Sequence, residues 1–311
     1  MDLLGAGSIY FEVICELPEN SNLSGKDLIK NLSGSVSDLE YLRAHCRILY
    51  QGLGGSSANT IYALSKLGYA VGFLGTLGKD QPAQELLTSG KGVDLRLLRK
   101  YGTSGLSFQI RHQGQTATLK FPNANEYLSF IEDDLGLINS AKYLYLGPIE
   151  TMTALQSYRQ ILHFVEEDLY LFYTPGEDCA ALGMAELEDI LSRARVVFVT
   201  EDELALLTSA EIKAGCSKLL EMGTKVVVCL GKEHLLIVSK HSQYQVPFKK
   251  TVLKDDSDFL DMCVAGFIAA YLEGADLFTC GTAAVTLSAL TSTAYGRDAY
   301  PDAKFLKRLI S

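Results

Sequence analysis

The segment Gln51-Gly52-Leu53-Gly54-Gly55-Ser56-Ser57-Ala58-Asn59 is the first part of the chain whose residue types suit ligand binding. It follows a predicted strand at residues 45–50 and leads into a predicted helix at residues 58–67. Glycines let a ligand contact the main chain, and the Asn59 amide offers both a donor and an acceptor, so a hydroxyl-rich ligand would fit. A glycine turn with Asn59 as helix cap predicts the same pattern, and both interpretations stay open at this point.

Two other glycine motifs do not support a site. Gly5-Ala6-Gly7 follows a short apolar start, but Tyr10 stands at the third glycine position of a dinucleotide-binding fingerprint, and the following residues favour a strand. Residues 54–58 resemble the nucleophile elbow of a hydrolase only in part, because the fifth position is Ala58. We therefore expect neither a dinucleotide-binding motif nor a serine nucleophile.

The elements that must position these residues alternate along the chain. Runs of β-branched and aromatic residues alternate with segments of helical period, which is typical of βαβ units on a mainly parallel sheet. The clearest predicted strands are residues 70–75, 142–147, 169–174, 196–200 and 225–231, and the predicted helices are 58–67, 151–166, 185–194, 210–222, 262–273 and 279–294. The pattern predicts a doubly wound α/β fold.

Two regions interrupt this alternation and predict a small second sheet. They are residues 8–15 and the pair 106–111 and 116–121, whose connector, residues 112–115, suits a hairpin turn. Residues 19–38 are rich in Ser, Asn, Lys and Gly, and we expect a loop or short helix there. The alternation of Leu106, Phe108 and Ile110 fits either a homodimer formed through this sheet or packing inside one chain.

Composition excludes several classes of protein. The chain has 311 residues with 28 basic and 37 acidic side chains, a formal net charge of −9, so we expect no binding to nucleic acid. Its longest nearly unbroken apolar stretch, residues 262–272, is shorter than the about 20 residues that span a hydrocarbon core. The N-terminus lacks the features of a signal peptide, and the seven cysteines and five histidines are scattered without metal-ligand spacing. We expect a cytoplasmic protein without membrane contact, disulfide framework or structural metal.

Several motifs, taken in order, resemble those of the PfkB or ribokinase-like carbohydrate kinase family. Gly54 through Asn59, Leu67-Gly68, Gly75, Gly78 and Asp80 resemble its first signature. Glu12, Gly92-Val93-Asp94, Asn123-Ala124-Asn125, Thr200 through Glu203 and the turn around Gly231 also fall in family order. Residues 255–267, Asp-Asp-Ser-Asp-Phe-Leu-Asp-Met-Cys-Val-Ala-Gly-Phe, resemble the second signature, D-T-x-G-A-G-D followed by a buried helix.

The resemblance implies a single ribokinase-like domain over residues 1–311, with lid strands from about residues 8–50 and 105–121. It implies an ATP- and Mg²⁺-dependent phosphotransferase that acts on a hydroxyl of a sugar or nucleoside, with Asp261 as the catalytic base. Gly266 matches the glycine of the buried helix that follows the second signature. The implied substrate-binding residues are Glu12, Gly54, Gly55, Asn59 and Asn125. The implied nucleotide-side residues are Thr200, Glu203, Gly231, Asp258, Phe259 and Leu260, with Glu203 also organising magnesium.

The second signature departs from the family pattern in its phosphate-binding loop, because Asp258, Phe259 and Leu260 replace Gly-Ala-Gly. We expect Phe259 and Leu260 to narrow the approach to the helix N-terminus and Asp258 to repel phosphate. At an effective dielectric of about 20, a like-charge pair about 4 Å apart costs about 4 kcal/mol. Two hypotheses follow: a carbohydrate kinase that uses magnesium to neutralise this charge, or a catalytically degenerate member that binds a sugar or nucleoside as a regulatory protein.

Overall fold

The computed structural model describes residues 1–18, 36–80, 92–166 and 169–310. Its strands, in chain order, are β1 (Leu3–Ala6), β2 (Tyr10–Glu16), β3 (Arg47–Gly54), β4 (Val71–Leu77), β5 (Val93–Asp94), β6 (Leu98–Lys100), β7 (Gly105–His112), β8 (Gln115–Phe121), β9 (Tyr143–Leu146), β10 (Tyr170–Tyr173), β11 (Ala194–Thr200), β12 (Val226–Leu230), β13 (His234–Ser239) and β14 (Gln243–Pro247).

The α-helices of the described residues lie mostly between these strands. They are α1 (Val36–His45), α2 (Ser56–Lys66), α3 (Leu135–Ile138), α4 (Met152–Phe164), α5 (Gly176–Ala180), α6 (Glu188–Leu191), α7 (Glu201–Thr208), α8 (Ile212–Met222), α9 (Phe259–Leu272), α10 (Leu277–Thr291) and α11 (Ala303–Ile310). Among the described ranges, no helix has the length and apolar character that crossing a membrane requires.

The larger sheet confirms the doubly wound α/β prediction. Among the described residues it has ten strands in the order β14-β13-β12-β11-β10-β9-β1-β4-β5, and β6 also pairs with β4. Neighbouring strands of this sheet are parallel, except that β13 is antiparallel to β12 and β14 is antiparallel to β13 at one edge. One face packs against the apolar side chains of α2, α9 and α10, and the other packs against α4, α7 and α8. Because both faces are covered, central strands such as β12 consist almost entirely of apolar residues.

The smaller sheet, called the lid sheet below, has the order β3-β2-β7-β8. Its hairpin turns at Gln113 and Gly114, which have φ of 48° and 73°, so the predicted turn is confirmed. Alternate side chains give the lid sheet two different faces. Phe108 and Ile110 are buried against Leu42 of α1, which favours the prediction of packing inside one chain. The opposite face is polar and contains Glu12 and Gln109, both lining a cavity described below.

Some predicted boundaries were wrong. The strand expected at residues 45–50 runs from Arg47 to Gly54, so residues 51–54 of the expected glycine-rich connection are strand that pairs with β2. The helix expected at 185–194 shortens to Glu188–Leu191, because β11 already begins at Ala194. The loop expected at residues 19–38 lies mainly outside the described residues, and its last part belongs to α1.

Candidate active site

A cavity of about 490 Å³ separates the polar face of the lid sheet from the larger sheet. Its floor is made by residues that come two or three positions after the carboxyl ends of four parallel strands, β1, β9, β10 and β11, where ligands bind in open α/β folds. The residues lining it are Ser8, Tyr10, Glu12, Gly55, Ser56, Asn59, Ser107, Gln109, Thr118, Lys120, Pro148, Ile149, Glu150, Gly176, Glu177, Asp178, Glu203, Ser257, Asp258, Leu260 and Asp261.

Asp261 lies in the first turn of α9 and lines this cavity although only 6% of it is exposed. Ser56 Oγ donates a hydrogen bond to its Oδ1, and Asn59 Nδ2 donates to its Oδ2 at 3.1 Å. Burial, together with the nearby charge of Asp258, raises the pKa of Asp261 to about 7, and these two donors oppose the rise. A carboxylate that titrates near neutral pH inside a cavity is suited to accept a proton from a bound hydroxyl group.

Asp258 precedes α9 but does not cap it, because its side chain accepts no hydrogen bond from the helix backbone. Instead it accepts hydrogen bonds from Asn59 Nδ2 at 2.8 Å and from Tyr300 Oη at 2.9 Å. Burial is the main cause that raises the pKa of Asp258 to about 6. Asn59 therefore joins the two carboxylates through one amide nitrogen.

The side chains of the loop at residues 258–260 are only partly placed as the sequence predicts. Leu260 lines the cavity next to Asp261. Phe259 does not line it, because its ring packs against Phe248 with centroids 5.2 Å apart. The expectation that Phe259 narrows the phosphate approach is therefore wrong for its side chain.

Two arginines that the sequence analysis did not single out offset the negative charge around Asp258. Arg111 Nη2 forms an ion pair with the buried Asp255 at 2.9 Å. Arg297 Nη2 donates to Asn59 Oδ1 at 2.9 Å, and its guanidinium group lies over the Tyr62 ring at 4.2 Å. No motif marks these residues, since Arg111 is one of several basic residues in strands and Arg297 stands alone near the end of the chain.

Among the predicted substrate-binding residues, Glu12, Gly55 and Asn59 line the cavity and Gly54 does not. Gly54 faces Glu12 across the lid sheet, where an added Cβ would lie 2.6 Å from the Cβ of Glu12. Gly55 has φ of +94°, and an added Cβ there would lie 2.9 Å from the backbone oxygen of Ser8. Packing and backbone conformation therefore require both glycines before any ligand is considered.

Asn125 is also displaced from the predicted role. Its Oδ1 accepts a hydrogen bond from Ile9 N at 2.9 Å, and its Nδ2 donates to Ile9 O at 3.0 Å. Both polar ends of the buried amide are thus used to fix the chain between β1 and β2, and Asn125 does not line the cavity. Its side chain therefore holds the backbone of Ile9, directly before β2, and does not face the cavity.

The predicted nucleotide-side residues divide into two places. Thr200 and Glu203 form a capping box at the start of α7, in which Glu203 Oε2 accepts from Thr200 N at 2.7 Å. Glu203 is buried, its pKa is raised by burial, and it lines the cavity with Asp261. Gly231 instead lines a second cavity of about 420 Å³ against α8, so the structure does not bring it together with Asp261.

Comparison with known proteins agrees with this architecture. A family model described as pfkB family carbohydrate kinase matches residues 35–303. An uncharacterized sugar kinase of Archaeoglobus fulgidus is 26% identical over 75% of this chain and 95% of its own length. A nucleoside kinase of Methanothermobacter thermautotrophicus is 25% identical over 90% of this chain and 85% of its own length.

Solved structures show the same fold at lower sequence identity. The structure of Arabidopsis thaliana ribokinase complexed with ribose and ATP superposes with a TM-score of 0.78 at 19% identity, covering 100% of this chain and 98% of the other. Since the family model spans most of the chain, and the cavity and its aspartate lie where the fold places a ligand site, the chain belongs to the pfkB family of carbohydrate kinases.

Proposed function

We propose that this protein transfers the γ-phosphoryl group of ATP to a hydroxyl group of a sugar or nucleoside. The observation that carries the proposal is Asp261, a buried carboxylate with a pKa raised to about 7, held at the start of α9 and facing a cavity of about 490 Å³. The names of the relatives, a sugar kinase and a nucleoside kinase, and the ribose and ATP of the solved neighbour support the same class of reaction.

The chemistry needs a base next to the acceptor hydroxyl. Asp261 accepts the hydroxyl proton, the freed oxygen forms a bond to the γ-phosphorus, and the bond to the β-phosphate oxygen breaks so that ADP leaves. Ser56 and Asn59 orient the Asp261 carboxylate through their hydrogen bonds, while Arg297 fixes the orientation of the Asn59 amide. Because the Asn59 amide is engaged at both ends, its contribution is to position the base.

The acceptor fits the half of the cavity formed by the lid sheet. Glu12, Ser107 and Gln109 project from β2 and β7 into this half and offer hydrogen-bonding groups of the kind that hydroxyls require. Glu150 also lines the cavity and already accepts a hydrogen bond from Ser8 Oγ at 2.7 Å. This polar lining favours a hydroxyl-rich molecule over an apolar one.

The residues present are compatible with magnesium held mainly by the nucleotide. Among the described residues, no group of three or more acidic, histidine or cysteine side chains is arranged to hold a metal ion. Magnesium in phosphoryl-transfer sites commonly uses one or two carboxylates, waters and substrate phosphates, and Glu203 offers one buried carboxylate that lines the cavity. Magnesium, when bound with ATP, would supply charge neutralisation at the phosphates.

Calorimetric titration with ATP, with and without magnesium, tests the proposal without knowledge of the acceptor. We expect magnesium-dependent binding, followed by ADP release when a panel of sugars and nucleosides is added. Asp261→Asn should abolish ADP release while leaving acceptor binding intact. Absence of ATP binding up to millimolar concentration would refute the kinase proposal and favour the degenerate, ligand-binding alternative.

A further inference from the structure

The charge of the cavity lining is strongly one-sided. It contains seven carboxylates and one lysine: Glu12, Glu150, Glu177, Asp178, Glu203, Asp258 and Asp261 against Lys120. Lys120 is already used, since its Nζ lies 3.2 Å from Glu150 Oε1. Glu177 and Asp178 are exposed and screened by solvent, but the carboxylates beneath the lid sheet are largely shielded. An anionic acceptor entering this space would meet like charge from several directions.

Glu12 differs from its neighbours because the described residues offer it no hydrogen-bond donor. Asp258 and Asp261 each accept hydrogen bonds from at least two side chains, including Asn59. Glu12 is 8% exposed and projects from β2 into the cavity, yet no donor among the described residues reaches its carboxylate. The carboxylate oxygens of Glu12 are accessible from the cavity, so they can accept hydrogen bonds from a ligand that enters it.

We infer that the acceptor carries a protonated amine that binds at Glu12, and that it carries no phosphate ester. The inference rests on the proposed function, since it treats this half of the cavity as the acceptor site. Arg297 acts on Glu12 through its charge, but its hydrogen bond goes to Asn59 and not to the Glu12 carboxylate. An ammonium group supplies three donors and a further positive charge, whereas a hydroxyl supplies one donor and no charge. A phosphate ester would add negative charge beside Glu12, Asp258 and Asp261.

The protonation of Glu12 supplies an independent signature of this binding mode. Burial and nearby carboxylates raise the pKa of Glu12 well above its usual range. The charged and titratable groups that act on it are Asp255, Asp258, Asp261, Arg297 and Tyr50. A bound ammonium group favours the ionised carboxylate, so binding should release a proton near neutral pH, whereas binding of a neutral sugar should not.

The test uses two sets of sugars that differ at one substituent, titrated calorimetrically without nucleotide. The sets are 1-amino-1-deoxy-D-fructose, D-fructose and D-fructose 1-phosphate, and D-glucosamine, D-glucose and D-glucose 6-phosphate. We expect at least one amine to bind at least tenfold tighter than its neutral partner, about 1.4 kcal/mol, with no binding of either phosphate ester. Repeating the titration in buffers of different ionisation enthalpy should show proton release for that amine.

Glu12→Gln keeps the size of the side chain and removes its charge, so the ratio of amine to neutral affinity should fall to about one. Glu221→Gln removes an exposed carboxylate that does not line the cavity and should leave the ratio unchanged, and circular dichroism would verify that both variants are folded. Equal affinities in the wild type, binding of a phosphate ester, no binding of either amine, or an unchanged ratio in Glu12→Gln would each overturn the inference.

The same measurements separate this inference from the proposed function. Amine binding without phosphorylation by MgATP would refute the kinase proposal and leave the amine site intact. Phosphorylation of neutral sugars with no preference for amines would establish the kinase and refute the amine site.

Discussion

Replacing Asp261 by asparagine should make the protein more stable at alkaline pH while abolishing catalysis. The folded state holds this carboxyl group with a pKa of about 7, compared with 3.8 for a free Asp side chain. Between these two values the folded protein binds a proton at Asp261 that the unfolded chain does not bind. Stability therefore falls as pH rises from about 4 to about 7, and the penalty is complete above pH 7. The amide side chain of the variant carries no charge at any of these pH values and has no such penalty.

The magnitude follows from the difference between the folded and unfolded pKa values of Asp261. That difference corresponds to about 4 kcal/mol of destabilisation of the wild type at pH 8, and to between 1 and 2 kcal/mol, roughly, at pH 5. Ser56 and Asn59 both donate to Asp261, and an amide can accept only one of these hydrogen bonds well, which costs about 1 kcal/mol at either pH. The variant should therefore be about 3 kcal/mol more stable than the wild type at pH 8 and within about 1 kcal/mol of it at pH 5.

Urea unfolding at pH 5 and pH 8, followed by circular dichroism, measures the difference directly. The control is Asp256→Asn, which removes a carboxylate from the exposed surface of the same loop. Its effect on the free energy of unfolding should be small at both pH values. If Asp261→Asn is equally or less stable than the wild type at pH 8, or if its advantage does not grow from pH 5 to pH 8, the carboxylate is not destabilised by burial and the reasoning fails.

Three further predictions concern turnover and packing. The value of kcat/KM, measured by ADP release, should fall about tenfold per pH unit below pH 7, because Asp261 becomes protonated. A kcat/KM that does not change down to pH 5 would argue against Asp261 as the base. Arg111→Met should lower the free energy of unfolding by about 3 kcal/mol, because Asp255 remains buried without its cation. Adding Asp255→Asn to this variant should recover part of the lost stability. If stability does not recover, the pairing of Arg111 with Asp255 is not what stabilises the protein. Gly266→Ala places a Cβ 2.7 Å from a backbone oxygen of α10 and should lower the free energy of unfolding in urea by about 2 kcal/mol. Gly136→Ala, whose added Cβ would have no neighbouring atom within 4 Å, is the control. Equal effects of the two substitutions would refute the packing argument.

The local sequence was sufficient for the fold, and the resemblance to the family pointed to Asp261, which the structure places in the cavity. Parallel strands buried on both faces need continuous apolar runs, and helices need apolar residues at a period near 3.6, so the order of elements could be read from the chain. The alternation of polar and apolar residues in β7 likewise separates the lid core from the side that faces the cavity. Asp261 could be located because it directly precedes the apolar stretch of residues 262–272 and stands in a motif that resembles the second signature of the family.

The partners of the acidic loop could not be read in the same way. The loop contains four aspartates within seven residues, and the sequence predicts strong mutual repulsion. In the folded protein Arg111 pairs with Asp255, Tyr300 donates to Asp258, and Arg297 acts through Asn59, all from distant segments. Contacts between such distant segments depend on how the elements pack, and no local pattern records them.

The sequence by itself thus determined the doubly wound fold, the lid sheet and the placement of a carboxylate at the start of a buried helix, because each depends on local periodicity and residue order. Only the tertiary structure decided which predicted residues share the cavity. It brought Glu12, Asn59 and Asp261 together, left Asn125 and Gly231 outside, and placed cations beside the aspartates. The physical reason is that burial, charge pairing and pKa depend on distances between side chains in the folded protein, and the separation of two residues along the sequence does not specify those distances.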